Sequence, residues 1–459
     1  MSTMKRKLTL LSLAMVLTVA ASAQGYFSFY QLRDLVPQTQ SLQPAFIPKN
    51  TLTFSLPGSN VGLALEADFQ LQDLLSKPDN SIDFVVDFDV LLDATKATNM
   101  VNLDVTSHLM HIGYKTKKGA FSLFANARAN VDLMYGRDLM EFLANGNGGR
   151  VGETIDFSDT RIMANVFHEI GLGYSRQFLG DRLIVGGRIK QITGIYHASL
   201  ADGASGTITT DANDFSWTIG VQNGTANTAG LDFFFNEGDY PDGAQQDYIT
   251  SNDNSSFAFD IGAKFKVFDW LHVEAAVNDI GTIEWKEQAR NYNTEDREVT
   301  FSGVQLRGIE NSGDVFRDSV ESRFSSNETQ RAFETTLPTR TYLSASAFLG
   351  PRNRFTVMAF NRSVFGESNF SYAGAYNHSV KYFTFGLVGS VRGNDSEFNL
   401  GANIASDIGP VQLYLAMDNA LVLNRPERYS KLDFRFGLNL MFGYKRWKEK
   451  SEVVDLDEL

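Results

Sequence analysis

The chain contains no cysteine. That absence excludes disulfides, thiolate zinc sites, thiol nucleophiles and covalent c-type haem, so its stability must come from packing and backbone pairing. Beyond residue 23 no stretch approaches 18 consecutive apolar residues, which leaves no candidate for a transmembrane helix. Positive charge is also in short supply: 41 Lys and Arg stand against 54 Asp and Glu, a formal net charge of −13. An acidic balance argues against nucleic acid as a partner and against simple adsorption to anionic lipid.

At the N-terminus, Lys5, Arg6 and Lys7 precede an apolar run over 8–20, and Ala21, Ser22 and Ala23 follow it. This is the three-part pattern of a secretory signal, with cleavage expected before Gln24. Loss of residues 1–23 removes three cations and no acid, which moves the net charge from −13 to −16. An exported chain without membrane helices can still reside in a bilayer as a closed barrel, because every backbone N–H and C=O then finds its partner within the protein.

Period-two alternation points the same way. From Leu432 to Tyr444 the even positions are Leu, Phe, Phe, Leu, Leu, Phe and Tyr, while Asp433, Arg435 and Asn439 face oppositely. Similar faces recur over 121–133, 257–267, 271–278 and 397–404. Segments of about ten residues with one apolar face are the mark of outer-membrane barrel strands. Tight links fall at 117–119, 179–181, 268–270, 350–353, 378–381 and 407–410, and longer polar stretches lie at about 70–97, 136–159, 200–254, 285–338 and 419–430.

The fold class expected is therefore all-β: a transmembrane antiparallel up-and-down barrel of about 14 strands (range 12–16). The number 14 places 205–222 in an external hairpin, broken by Asp211, Asn213 and Asp214; 16 would send it across the membrane. Residues 71–76 and 137–144 read as helical, and 83–93 is ambiguous. The expected divisions are a signal peptide (1–23), an N-terminal plug or periplasmic strap (24–50), the barrel (51–445) and an acidic periplasmic tail (446–459).

Four strings, SLQPAFIPKN (41–50), GYSRQFLGDRLIVGGRIKQITG (173–194), VEAAVNDIGTIEWK (273–286) and LPTRTYLSASAFLG (337–350), resemble a family of Bacteroidota outer-membrane barrels with no assigned function. In outline that family is similar to FadL-type fatty-acid transporters and to PorV-like barrels of type IX secretion. Those share an Asn-Pro-Ala element entering the barrel; the matching positions here are Gln43, Pro44 and Ala45, with Gln replacing Asn. The resemblance implies a 14-stranded barrel in the outer membrane of a Gram-negative bacterium, without a substrate.

Candidate functional residues fall into three groups. Phe27, Tyr30, Gln43, Pro44, Ala45 and Phe46 belong to a segment too apolar for a free tail, and Pro37, Pro44 and Pro48 bar a regular element there. Its alternatives are a plug in the lumen and a strap under the rim. Arg128, Asp132, Arg188, Lys190, Asp260, Lys264, Glu274 and Arg435 fall on lumen faces, as cross-braces of a filled barrel or as an ion-selective lining. Phe233, Phe234 and Phe235 form a possible mouth patch for ligand, or simply an apolar hairpin.

Evidence for an enzyme is thin. Neither Gly-x-Ser-x-Gly nor His-Glu-x-x-His occurs, the six histidines read as turn or lumen residues, and Gly146 to Gly149 lacks the Lys-Ser/Thr of a phosphate loop. Asp83, Asp87, Asp89 and Asp93 lack calcium-loop spacing. No catalytic group, cofactor or metal is expected. The functional expectation is passive binding or transport of small hydrophobic molecules in a lipid bilayer. The alternative is a non-conducting scaffold for a secretion or surface-protein complex.

Overall fold

The computed structural model describes residues 25–76, 85–86, 88–231, 233, 241–301, 327–392 and 398–443. They build a closed, antiparallel, 14-stranded barrel. Strand β1 is Leu52–Ser55 continued by Asn60–Ala67, and β2 to β5 are Thr98–Lys115, Gly119–Gly136, Arg161–Phe178 and Leu183–Leu200. Next come β6 (Ser255–Phe268), β7 (Leu271–Trp285), β8 (Thr339–Leu349), β9 (Asn353–Val364) and β10 (Glu367–Ser379). The last four are β11 (Phe383–Arg392), β12 (Phe398–Ile408), β13 (Val411–Met417) and β14 (Lys431–Phe442). Each pairs with its successor, and β14 closes on β1 in a register running from Asn60 opposite Gly437 to Glu66 opposite Lys431.

Alternation sets which solvent each side chain meets. On β6, Phe257, Phe259, Ile261 and Phe265 are exposed outward, while Asp260 and Lys264 are buried inside. On β14, Leu432, Phe436 and Phe442 are exposed and Asp433, Arg435 and Asn439 are buried. Aromatic rings gather at the end carrying the tight turns: Phe121 lies 4.6 Å from Tyr174, Phe268 stacks on Trp270, and Phe355 lies 4.8 Å from Tyr376. All six are exposed. An apolar outer band edged by such a girdle identifies an outer-membrane type of barrel.

The other end carries the long connections. Strands β2 to β5 are each 18 residues long, well beyond the roughly 9–11 residues that a tilted crossing needs. Their loop ends support extra pairing: Gly224–Ala229 adds to β5 and to Ala289–Thr294. Residues 205–222 stay outside the barrel, as Ser205–Thr210 and Trp217–Gln222 in a separate four-stranded sheet with Thr154–Asp156 and Arg297–Phe301. The 137–144 helix is present as Arg137–Asn145.

Two expectations need correction. The helix expected over 71–76 stops at Leu74, because Leu75 and Ser76 pair with Val86 and Val85 as a short ladder. Nor are all loop-end links long: β9 turns into β10 through Phe365 and Gly366 alone, both left-handed at φ 55 and 77. Of the acidic run, Asp83 and Asp87 lie outside the described residues, as does Tyr444; Asp89 and Asp93 are exposed on helix Phe88–Ala94.

A charge on the outer face should be costly in proportion to its depth. Phe436→Arg, midway along β14, is expected to destabilise the barrel by about 2–4 kcal/mol, against under about 1.5 kcal/mol for Phe436→Leu. The urea midpoint for unfolding from lipid vesicles measures both; equal midpoints would mean that Phe436 does not face hydrocarbon.

Candidate functional site: a filled lumen

Inward residues of β5 trace the interior from the turn end to the loop end. At Gly186 a Cβ would lie 2.1 Å from the Pro44 carbonyl oxygen, so only glycine lets the N-terminal segment approach. Arg188 and Lys190 follow, paired with Asp260 at 3.1 and 2.8 Å. Ile192 and Gly194 then meet Trp285, inside an apolar cluster with Phe167 and Ile283. His197, bonded to Asn165 and Ser199 at 2.7 and 2.8 Å, closes the series. The lumen is thus stacked: N-terminal segment, charged layer, apolar cluster.

Residues 25–50 wind through one short helical turn, Phe27–Tyr30, and two 3-10 turns, Arg33–Leu35 and Pro37–Ser41. Nearly all of them are buried; Lys49 is exposed. Asp418 accepts the backbone N–H of Phe27 and Ser28 at 2.9 and 2.6 Å. Arg33 pairs with Glu274 and donates to Ser346 at 2.8 Å. Gln38 donates to Ser55 and Asn439 at 2.6 and 2.7 Å, and Gln43 to the Ala275 carbonyl at 3.0 Å. Tyr30 stacks on Tyr342 with ring centres 5.4 Å apart and sits edge-on to Phe46.

The wall opposite this segment explains its apolar composition. Strands β8 to β13 turn Tyr342, Met358, Phe360, Val388 and Tyr414 inward, with small Ala373, Ala375, Ala405 and Ala416 making room. Phe29 lies 5.5 Å from Tyr414, and Phe27 meets Phe360 edge-on. At Gly401 a Cβ would lie 2.5 Å from Ser28 Oγ, and at Gly262 only 2.0 Å from Gln43 Oε1.

The charged layer centres on Asp279. Its carboxylate receives Arg128 in bidentate fashion at 2.8 and 3.2 Å, Arg340 Nε at 3.0 Å and Lys190 at 2.5 Å. Glu169 supplements it, 3.5 Å from Arg128 and 3.7 Å from Lys190, and Asn126 donates to it at 2.6 Å. To the side, Arg362 grips Asp132 with two bonds of 2.6 and 2.9 Å. Arg435 lies 3.9 Å over the Tyr26 ring, which joins this layer to the N-terminal segment. Buried charges are tolerated only when paired and hydrogen-bonded to this degree.

All six N-terminal candidates, Phe27, Tyr30, Gln43, Pro44, Ala45 and Phe46, lie buried in the lumen. So do Arg128, Asp132, Arg188, Lys190, Asp260, Lys264, Glu274 and Arg435. Gln43 also accepts the Ala45 N–H at 3.1 Å. Phe233 is buried, its ring stacked 5.0 Å from that of Tyr248 on helix Ala244–Thr250. Burial pushes the Tyr248 hydroxyl up, with the Glu287 charge as a second cause. Phe234 and Phe235 lie outside the described residues.

Sequence reasoning missed Asp279, Arg340, Arg362 and Asp418. Strict alternation from Leu271 puts Asp279 on the lipid face. Instead its φ of +61, beside a register shift at Asp260, turns it inward. An acid at an apolar parity was the available signal. Arg340 alternates with Tyr342, Ser344 and Ser346, so its face was readable. Among the described residues no histidine hydrogen-bonds a carboxylate and no group of His, Asp and Glu is arranged to hold a metal.

Residues 44–418 match a family of unknown function, DUF5723. No curated protein matches the chain. Among solved structures, the Ralstonia pickettii toluene transporter TbuX aligns over 93% of this chain and 96% of its own, at 9% identity and a TM-score of 0.41. The P. putida toluene transporter TodX aligns over the same shares at 8% identity and 0.36. The Yersinia pestis ferric yersiniabactin uptake receptor FyuA covers 78% of this chain and 48% of its own, at 6% and 0.28. Likeness at this level bears on neither substrate nor mechanism, and the closed barrel rests on the strand pairing described above.

Two substitutions test the packing. Gly186→Val should unseat residues 25–50, so that trypsin cuts rapidly after Arg33 in a barrel that keeps its strand signal; protection equal to the parent would contradict the contact. Asp279→Asn removes the carboxylate shared by three cations and should cost about 3–5 kcal/mol, more than Asp132→Asn, which removes the carboxylate of Arg362 alone. Urea midpoints give the order.

Proposed function

We propose, for a chain that belongs to the family of unknown function DUF5723, a passive outer-membrane barrel that binds and passes small hydrophobic molecules and is closed by its N-terminal segment. The observation that carries this reading is the inner wall of β8 to β13. A water-filled pore needs a polar lining, yet Tyr342, Met358, Phe360, Val388 and Tyr414 face inward here. Withdrawal of residues 25–50 toward the turn end, the periplasmic side, would leave an aromatic chamber suited to an apolar guest. Because Ser41 and Leu42 also form part of the wall of the charged layer, the same withdrawal would open that layer from below.

A second reading has its own support. The charged layer spans the lumen with a cavity of only about 20 Å³ between its side chains, which favours a non-conducting scaffold for other envelope proteins.

Planar-bilayer conductance separates the two, using the mature barrel with and without residues 25–50 and N-phenyl-1-naphthylamine as an apolar probe. The transporter reading expects the shortened barrel to conduct and to enhance probe fluorescence strongly, while the full chain stays nearly silent. Two silent, probe-blind barrels of intact heat-modifiability would leave the scaffold reading.

A further inference from the structure

The charged layer is not electrically balanced by its own side chains. Arg128, Arg188, Lys190, Arg340 and Arg435 face Asp104, Glu169, Asp260 and Asp279, which leaves one positive charge in excess. Arg435 is the cation least served: its nearest carboxylate oxygen, on Asp104, is 4.0 Å away. All five cations border the cavity of about 20 Å³, and the only acids on its wall are Glu169 and Asp279. Both acids are already occupied by two and three cations respectively.

Three of these lining cations also carry a donor without an acceptor. The buried Nε–H groups of Arg128, Arg188 and Arg435 have no hydrogen-bond partner. A buried, unpaired guanidinium donor costs more than a neutral one, and the cavity has room for one particle of about the size of water. A water would satisfy donors but leave the charge. We infer that this cavity binds a single small monovalent anion, of the halide class, enclosed by the guanidinium groups of Arg128, Arg188 and Arg435. The buried acceptor Asn126 Oδ1, also on the wall and unpartnered, would suit a water instead, and the experiment separates the two.

The site has a consequence for the N-terminal segment. Ser41 and Leu42 close one side of the cavity, and Asn278 donates to the Leu42 carbonyl at 2.9 Å. Because the cavity is closed on that side only while the segment is seated, an anion enclosed in it stabilises the seated state by mass action. This inference holds whether or not the barrel passes a ligand.

The mature, full-length barrel is compared in sodium gluconate, chloride and bromide at equal ionic strength, which cancels general screening. Trypsin cleavage after the buried Arg33 reports unseating. Halide should slow it by roughly tenfold once present at about ten times its Kd, and crystals grown in bromide should show an anomalous peak inside the cavity. Arg435→Gln, which removes the excess charge, should abolish both effects. If that variant does not fold, the comparison of salts on the parent protein decides alone. Cleavage that is the same in gluconate and bromide, or a cavity with no anomalous peak, would mean a water and overturn the assignment.

Discussion

Backbone hydrogen bonding in hydrocarbon is the constraint on which everything else here depends. Each unpaired N–H or C=O at membrane depth costs several kcal/mol, so a wall built of strands must close its sheet completely. The pairing of β14 with both parts of β1 provides that closure. Once the wall is continuous, alternate residues are committed to an interior, and the interior has to be solvated or filled. Here it is filled. The aromatic girdle and the outward Phe and Ile of β6 answer to lipid; the paired carboxylates and guanidinium groups answer to the absence of bulk water inside.

The filling divides along the barrel's circumference. Strands β2 to β7, with β8, β9 and β14 at the margins, supply most of the ionic groups, whereas the buried residues of β10, β11 and β13 among those described are uncharged. The N-terminal segment bridges the two halves. Phe27, Phe29 and Tyr30 lie against the apolar side, and Tyr26 and Leu42 touch the charged side. Glycine at 186 admits its backbone at Pro44, and glycine at 262 and 401 admits its Gln43 and Ser28 side chains. A segment of this composition would be insoluble as a free tail and needs the inside of its own barrel.

How much of this was legible follows from the physics of alternation. The barrel, the strand number, the lumen faces of Arg128, Arg188, Lys190 and Asp260, and the external place of 205–222 can all be read from period two and turn residues. Those signals are local. Which charges meet across the lumen is not local, because it depends on strand tilt and on partners as distant as Arg128 and Asp279. The bulge at Asp279 also defeats the rule that reveals everything else: a left-handed residue resets the parity, and the residue that resets it organises the charged layer. Asp418 was hidden for a different reason, since it lies just past the end of the short β13 and acts on backbone donors of Phe27 and Ser28.

The choice of side chains holding the segment bears on whether it can move. Arg33 in it makes a buried ion pair with the wall, with Glu274. Several other ties are neutral, namely Gln38 to Ser55 and Asn439, Gln43 to a β7 carbonyl, and Gln412 to the Leu35 carbonyl at 2.8 Å, while Asp418 and Arg354 add charge-assisted bonds to Phe27, Ser28 and Gln31. Neutral bonds of this kind contribute roughly 0.5–1.5 kcal/mol each, whereas separating a buried ion pair costs several times more. The wall, by contrast, is tied together within its charged layer by Asp279, Asp260 and Asp132. The segment is thus held by a mixture of charged and neutral ties, whereas the wall around Asp279 is held by carboxylates each shared among several cations.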